Sequence, residues 1–184
     1  MPPPLPDAKY DIVLADPPWE YYGQQDKWAA AAKFYHLLRD EELGALDVPG
    51  ILNEPGILFL WTTSSKLDKA VWLIEEWSLY YRGVAFVWIK TKQDSITPIG
   101  AQGVRPSITK PLTEFVLAAS NVWGRPLKLS DESICQTIFA PKQEHSKKPD
   151  EVQERIERMY PDYSKIELFA RRQREGWVTW GDEV

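Results

Sequence analysis

The sequence is short of the residues that staple or metallate small proteins. Cys135 is its one cysteine, which excludes an internal disulfide and any cysteine-based zinc site. Two histidines offer no metal set. No apolar run approaches the roughly 20 residues of a membrane span; residues 56–62 are among the longest. Basic residues are not in surplus: 22 Lys and Arg against 27 Asp and Glu leave a net charge of −5. That balance argues against a broad basic surface that binds nucleic acid by charge alone. With no signal-peptide pattern either, a reducing, cytoplasmic compartment is expected.

What remains is an ordinary globular composition. The 184 residues fit one domain, and a chain of that size buries roughly 70% of its unfolded surface. Hydrophobic residues at 43% and charged residues at 27% exclude a disordered chain. Nine tryptophans are the oddity. They serve as core anchors or as stacking surfaces, and composition does not separate the two.

Residues 1–9 open with three consecutive prolines and read as an extended, proline-rich tail. A short apolar run at 10–15, stopped by Asp16-Pro17-Pro18, has the character of a buried parallel strand. Residues 56–62, 84–90, 114–119, 133–139 and 166–169 are further strand candidates, and 177–180 is a last one. Leu67, Ala70, Val71, Ile74 and Trp77 share one helical face, and Val152, Ile156 and Met159 repeat that spacing after Pro149. A weaker helix is expected over about 40–46. Strands alternating with helices predict a mostly parallel α/β sheet with helices on both faces, and a ligand edge at the carboxyl ends of the strands. The aperiodic stretches 20–33 and 91–111 both follow strands and should overhang that edge.

Asp16-Pro17-Pro18-Trp19, directly after a strand, is the sharpest chemical feature. Two prolines fix φ and remove two donors, so the carbonyls of a rigid turn are left to face outward. A carboxylate, a free carbonyl and an indole together suit a planar ligand with an exocyclic amine. The structural alternative is a strand-ending turn with a buried Trp.

Here the chain resembles the MT-A70 family of S-adenosylmethionine-dependent adenine-N6 methyltransferases, from Tyr10 nearly to the end. The Asp-Pro-Pro-Trp motif at 16–19 is joined, in the family's order, by segments at 59–61, 87–91, Glu114 before an apolar strand, 145–151, 165–171 and 176–177. The resemblance implies a single Rossmann-like methyltransferase domain over 10–184 that binds S-adenosylmethionine. It also implies roles. Asp16 and Pro17, within the catalytic motif that Pro18 and Trp19 complete, would hold the adenine amine. Asp16 would also face the methionine part of the cofactor. Ile12 would contact the cofactor less directly, Lys148 would approach its carboxylate, and Phe169 and Arg171 would lie at its ribose and adenine. Asp182 and Glu183 fall where relatives often carry Asn and Gln against the cofactor. Residues 168–171 stand where many methyltransferases have a Gly-x-Gly turn.

Taken singly, these residues have plainer readings: a solvated pair for Lys147 and Lys148, a core ring for Phe169, a solvated basic run for Arg171, Arg172 and Arg174. Their joint spacing carries the argument. The expected reaction is N6 methylation of adenine in DNA, favoured because so compact a chain is similar to prokaryotic and phage members. RNA methylation, and a non-catalytic nucleic-acid-binding subunit, are the alternatives; methylation of a small molecule or a protein is a weaker third. Tyr21, Tyr22 and Trp28 in the first aperiodic stretch, and Lys90, Lys92, Arg105 and Lys110 around the second, are the expected substrate contacts through stacking and phosphate pairing. A homodimer is a further expectation.

Overall fold

Alternation within the first strand sets the architecture. In β1 (Tyr10–Ala15), Val13 and Ala15 point to one side of the sheet and Ile12 and Leu14 to the other, all of them buried. A strand apolar on both faces has to sit between two packed layers. The computed structural model describes residues 3–19, 38–100, 108–143 and 147–181. After β1 come α1 (Asp40–Gly44), β2 (Leu52–Thr63), α2 (Leu67–Glu76), β3 (Tyr80–Thr91), β4 (Thr113–Ser120), β5 (Thr137–Pro141), α3 (Glu151–Met159), β6 (Lys165–Leu168) and β7 (Val178–Trp180).

The strands form one seven-stranded sheet in the order β5-β3-β4-β2-β1-β6-β7. Pairs β1–β2, β1–β6, β6–β7 and β3–β5 are parallel, whereas β4 runs antiparallel to both β2 and β3. The sheet is mostly parallel, as expected, but it is mixed, because β4 is a single reversed strand. The apolar run at 114–119 announces burial, and burial has no direction.

Helices lie on both faces. Leu43 of α1 and Ala70, Leu73 and Ile74 of α2 pack with Val13, Leu58, Leu60 and Leu117. Val152 and Ile156 of α3 pack with Ile12, Leu14, Phe59, Trp61, Phe86, Trp88 and Val116. Leu67, expected on the apolar stripe of α2, is instead 37% exposed in its first turn. β5 begins at Thr137, later than its apolar pattern suggests. Before it, the Asp131 carboxylate ties down the backbone N–H and hydroxyl of Ser133.

Residues 3–9 carry no strand or helix of their own. They are held by Leu5, which packs on the core, and by the Trp180 indole N–H, which donates to the Pro4 carbonyl at 3.0 Å. Among the described residues no helix is long and apolar enough to cross a membrane.

Candidate active site

Six strands bring their carboxyl ends to one edge of the sheet, and reversed β4 brings its amino end there. Strand alternation then decides which residues meet. Asp16 continues the parity of Ile12 and Leu14, so its carboxylate stands on the α3 side, just past the end of β1. Glu114, at the start of β4, is opposite Thr63 on β2 and Trp88 on β3, which puts it on the same side. Lys90 is two residues beyond Trp88. Lys148 enters from the segment before α3.

These four side chains form a row of alternating charge. Lys148 Nζ lies 2.9 Å from Asp16 Oδ2 and 3.2 Å from Glu114 Oε2, and Lys90 Nζ lies 2.5 Å from Glu114 Oε1. The floor beneath is aromatic. Lys148 Nζ is 5.3 Å from the Trp61 ring and Lys90 Nζ 4.9 Å from the Trp88 ring, and the two indoles meet edge to face at 6.3 Å. Burial alone would drive the Glu114 carboxyl up, but Lys148 and Lys90 outweigh it and hold the group below the usual range. Burial would likewise lower Lys148, yet Asp16 and Glu114 raise it above an ordinary lysine. Lys148 and Glu114 are thus both charged at neutral pH.

A third acid stands beside them. Glu167 on β6 is opposite Leu14, and Gln153 of α3 donates to its Oε2 at 2.8 Å. Burial first, and then the negative charge of Asp16, push its carboxyl up to about 7.

The Asp-Pro-Pro-Trp turn departs from expectation in two respects. The Pro17 carbonyl is not unpaired: it accepts the Trp19 N–H at 2.8 Å across Pro18, leaving one lone pair for a ligand. Trp19 is 6% exposed, with its indole N–H on the Trp61 carbonyl at 3.2 Å, so its ring anchors the turn instead of lying open for stacking.

Where β6 ends, Phe169 takes a left-handed φ of 61°, costly for a residue with a Cβ, and sets its ring edge-on to Trp180 at 5.3 Å. A Cβ on Gly181 would lie 2.5 Å from the Ala170 carbonyl oxygen, so only glycine permits this close approach of the β6 and β7 exits. Ile12 is fully buried below Asp16, and Arg171 is half-buried two residues past Phe169. Its neighbours are structural: Arg172 pairs with Asp150, and Arg174 with Glu157, at 2.7 Å.

Lys90, expected at a phosphate, is bound to Glu114, whereas Lys92 and Lys110 are exposed near the same edge. Tyr21, Tyr22, Trp28, Arg105, His145, Asp182 and Glu183 lie outside the described residues. Glu114 and Glu167 had no assigned role in the sequence reading. Glu114 was hidden by the assumed direction of its strand. Glu167 had a signal, since it is the lone acid between two buried apolar residues, Ile166 and Leu168.

The donor set fits a zwitterionic sulfonium cofactor such as S-adenosylmethionine. Such a group needs a cation for its carboxylate, which Lys148 would supply, and a negative charge for its ammonium and sulfonium, which Asp16 would supply with Glu167 beside it.

Comparison with known proteins agrees with this chemistry. The MT-A70 family model matches residues 10–183. The type II methyltransferase M.MunI of a Mycoplasma species is 34% identical over 200 residues, covering 99% of this chain and 81% of that protein. The human N(6)-adenosine-methyltransferase catalytic subunit METTL3 is 32% identical over 180 residues, covering 96% of this chain and 28% of the human one. The MT-A70-like N(6)-adenosine-methyltransferase of Drosophila melanogaster is also 32% identical over 180 residues, covering 27% of its own length. The chain thus spans about four fifths of the first relative and little more than a quarter of the other two.

Proposed function

The chain belongs to the MT-A70 family, and from that premise we propose that it transfers a methyl group from S-adenosylmethionine to the N6 amine of adenine in DNA. The observation that carries this reading is the contact of Lys148 with both Asp16 and Glu114 at the ligand edge. The matching fold is a single Rossmann-like methyltransferase domain over 10–184 with a proline-rich tail at 1–9, working in the cytoplasm.

When bound, S-adenosylmethionine supplies an electrophilic methyl group with a neutral leaving group. The protein then has little acid or base work to do; it has to align and to complement charge. Asp16 accepts one N–H of the adenine amine, and the remaining lone pair of the Pro17 carbonyl accepts the other. Both bonds favour a tetrahedral nitrogen and stabilise the positive charge that grows on it, and the methylated nitrogen returns to neutral by releasing one N–H proton to solvent. Lys148 holds the Asp16 carboxylate in place through an ion pair that Glu114 shares. An adenine inside a duplex cannot reach this pocket, so the base is flipped or single-stranded when it reacts.

DNA is favoured because M.MunI matches the chain nearly end to end. RNA is the second reading, favoured by the adenosine methyltransferases, in which the matched region is a smaller part. Incubation with labelled cofactor and separate pools of DNA and RNA decides between them, with Asp16→Asn as the control. Label in DNA that vanishes in folded Asp16→Asn is expected. Label confined to RNA overturns the choice of DNA, and label in neither pool overturns the activity.

A further inference from the structure

The connection from β3 to β4 leaves the sheet at the same edge as Asp16, and its first part is a short two-stranded projection. Ile99 N–H donates to the Lys90 carbonyl at 2.8 Å, Lys92 N–H to the Thr97 carbonyl at 2.9 Å, and Thr91 is bridged to Pro98. The tip is fixed from within by one carboxylate. Asp94 Oδ1 accepts the N–H groups of Ile96 at 2.9 Å and Thr97 at 2.8 Å, and Oδ2 accepts the Thr97 hydroxyl at 2.5 Å. These bonds, the Thr97 hydroxyl first, hold the Asp94 carboxyl down at about 2. Ser95 takes a left-handed φ of 57° to complete the bend.

The side chain that this rigid tip presents is aliphatic. Ile96 is 76% exposed, and its branched Cβ leaves it stiff. Single exposed apolar side chains are common on proteins, so exposure alone decides nothing. Position decides. β3 is separated from β1 by three strand spacings, about 14 Å, and the tip stands about 10 Å beyond Lys90 at strand rise. A flipped base leaves its gap outside the pocket, so a group that fills the gap has to stand off the edge as this one does. Lys92 and Lys110 flank the projection and are both exposed. Lys110 lies along it at Gly100, where a Cβ would come within 2.9 Å of its Cδ.

We propose that Ile96 is an intercalating wedge: it enters a duplex beside the target adenine and holds the stack open while the base is in the pocket, with Lys92 and Lys110 on the flanking phosphates. The proposal rests on the methyltransferase reading and deepens it, because it makes duplex nucleic acid the substrate.

The test compares methyl transfer by wild type, Ile96→Ala and Ile96→Phe on three DNAs of one sequence: duplex, single strand, and a duplex whose adenines face mismatched cytosines. The wedge requires Ile96→Ala to lose at least tenfold in kcat/KM on the duplex and less on the mismatch. It also requires single-strand turnover to be unchanged and Ile96→Phe to keep duplex turnover. Equal losses on all three DNAs, or no loss on the duplex, overturn it. A duplex-specific loss that accompanies conversion of a dimer to a monomer in sedimentation also overturns it and assigns Ile96 to a contact between copies. Wild type that methylates single strands alone removes the wedge and leaves the methyltransferase reading standing. Wild type that methylates none of these DNAs, nor RNA, removes both.

Discussion

Glu114 and Asp16 grip the same lysine from opposite chain directions. Asp16 has just left the end of β1, Glu114 is entering β4, and Lys148 Nζ bridges them at 2.9 and 3.2 Å. Two carboxylates that converge in a half-buried site repel unless a cation lies between them. The lysine therefore has two duties, which are to hold the acids together and to leave a positive charge at the ligand edge.

Lys148→Ala separates these duties. Lys90 is then the cation left beside Glu114, and the Glu114 carboxyl rises from its lowered range. In the wild type the lowered Glu114 carboxyl contributes stability above its ordinary range, and that contribution is lost as pH falls through the folded value. In the variant that contribution shrinks, so stability is lost less steeply on the acid side. The loss at neutral pH should be about 1–3 kcal/mol, below the figure for a fully buried pair because both groups are partly exposed. Thermal unfolding of wild type and variant between about pH 3 and 7 checks the difference. Calorimetry should show at least tenfold weaker cofactor binding; unaltered affinity would mean that Lys148 serves only its neighbours.

Glu167→Gln should remove a different pH dependence. The Glu167 carboxyl is raised to about 7, so its contribution to stability is complete below the ordinary carboxylate pKa and disappears as pH rises through 7. The amide cannot ionise. Melting temperatures of wild type and variant should converge near pH 5 and separate above 7, the variant being higher by several degrees. Parallel curves across that range would show that Glu167 ionises freely.

Trp19→Phe keeps the bulk of the ring but leaves the Trp61 carbonyl without its indole donor. A cost of about 1–2 kcal/mol is expected, read as a lower melting temperature, with the KM for nucleic acid unchanged. Trp19→Ala should cost about 3–5 kcal/mol. A large rise in KM for Trp19→Phe at unchanged stability would return the indole to a stacking role.

Much of the fold was legible because burial writes itself as periodicity. Ile12, Leu14 and their neighbours make a continuous apolar run, and Val152 and Ile156 keep the helical spacing that seats α3. Strand direction leaves no such mark, since it depends on the connections, and so the reversal of β4 was missed. Glu114 was lost with it: at the start of a parallel strand it would lie at the far edge of the sheet. Asp16 was legible because Pro17 and Pro18 interrupt the run beside it. The place of Lys148 at the ligand edge was visible only through family resemblance, because a lysine before a helix is normally solvated. Lys90 was legible as a basic group near the pocket, but its partner was not, because the partner lies on the misread strand.

The pairing of β1 with β6 has a consequence for synthesis on the ribosome. Asp11 accepts the backbone N–H and hydroxyl of Ser164 at 2.8 and 2.7 Å across 153 residues of sequence, and β1 pairs with β6 along its length. At about 5–20 residues per second, one edge of the strand that carries Asp16 waits on the order of 10 s for its neighbour to be made. Meanwhile β2 can shield only the other edge. The strand that leads to Asp16 thus keeps one edge open until β6 is made, and a ribosome that stalls before Ser164 releases a protein with that edge uncovered.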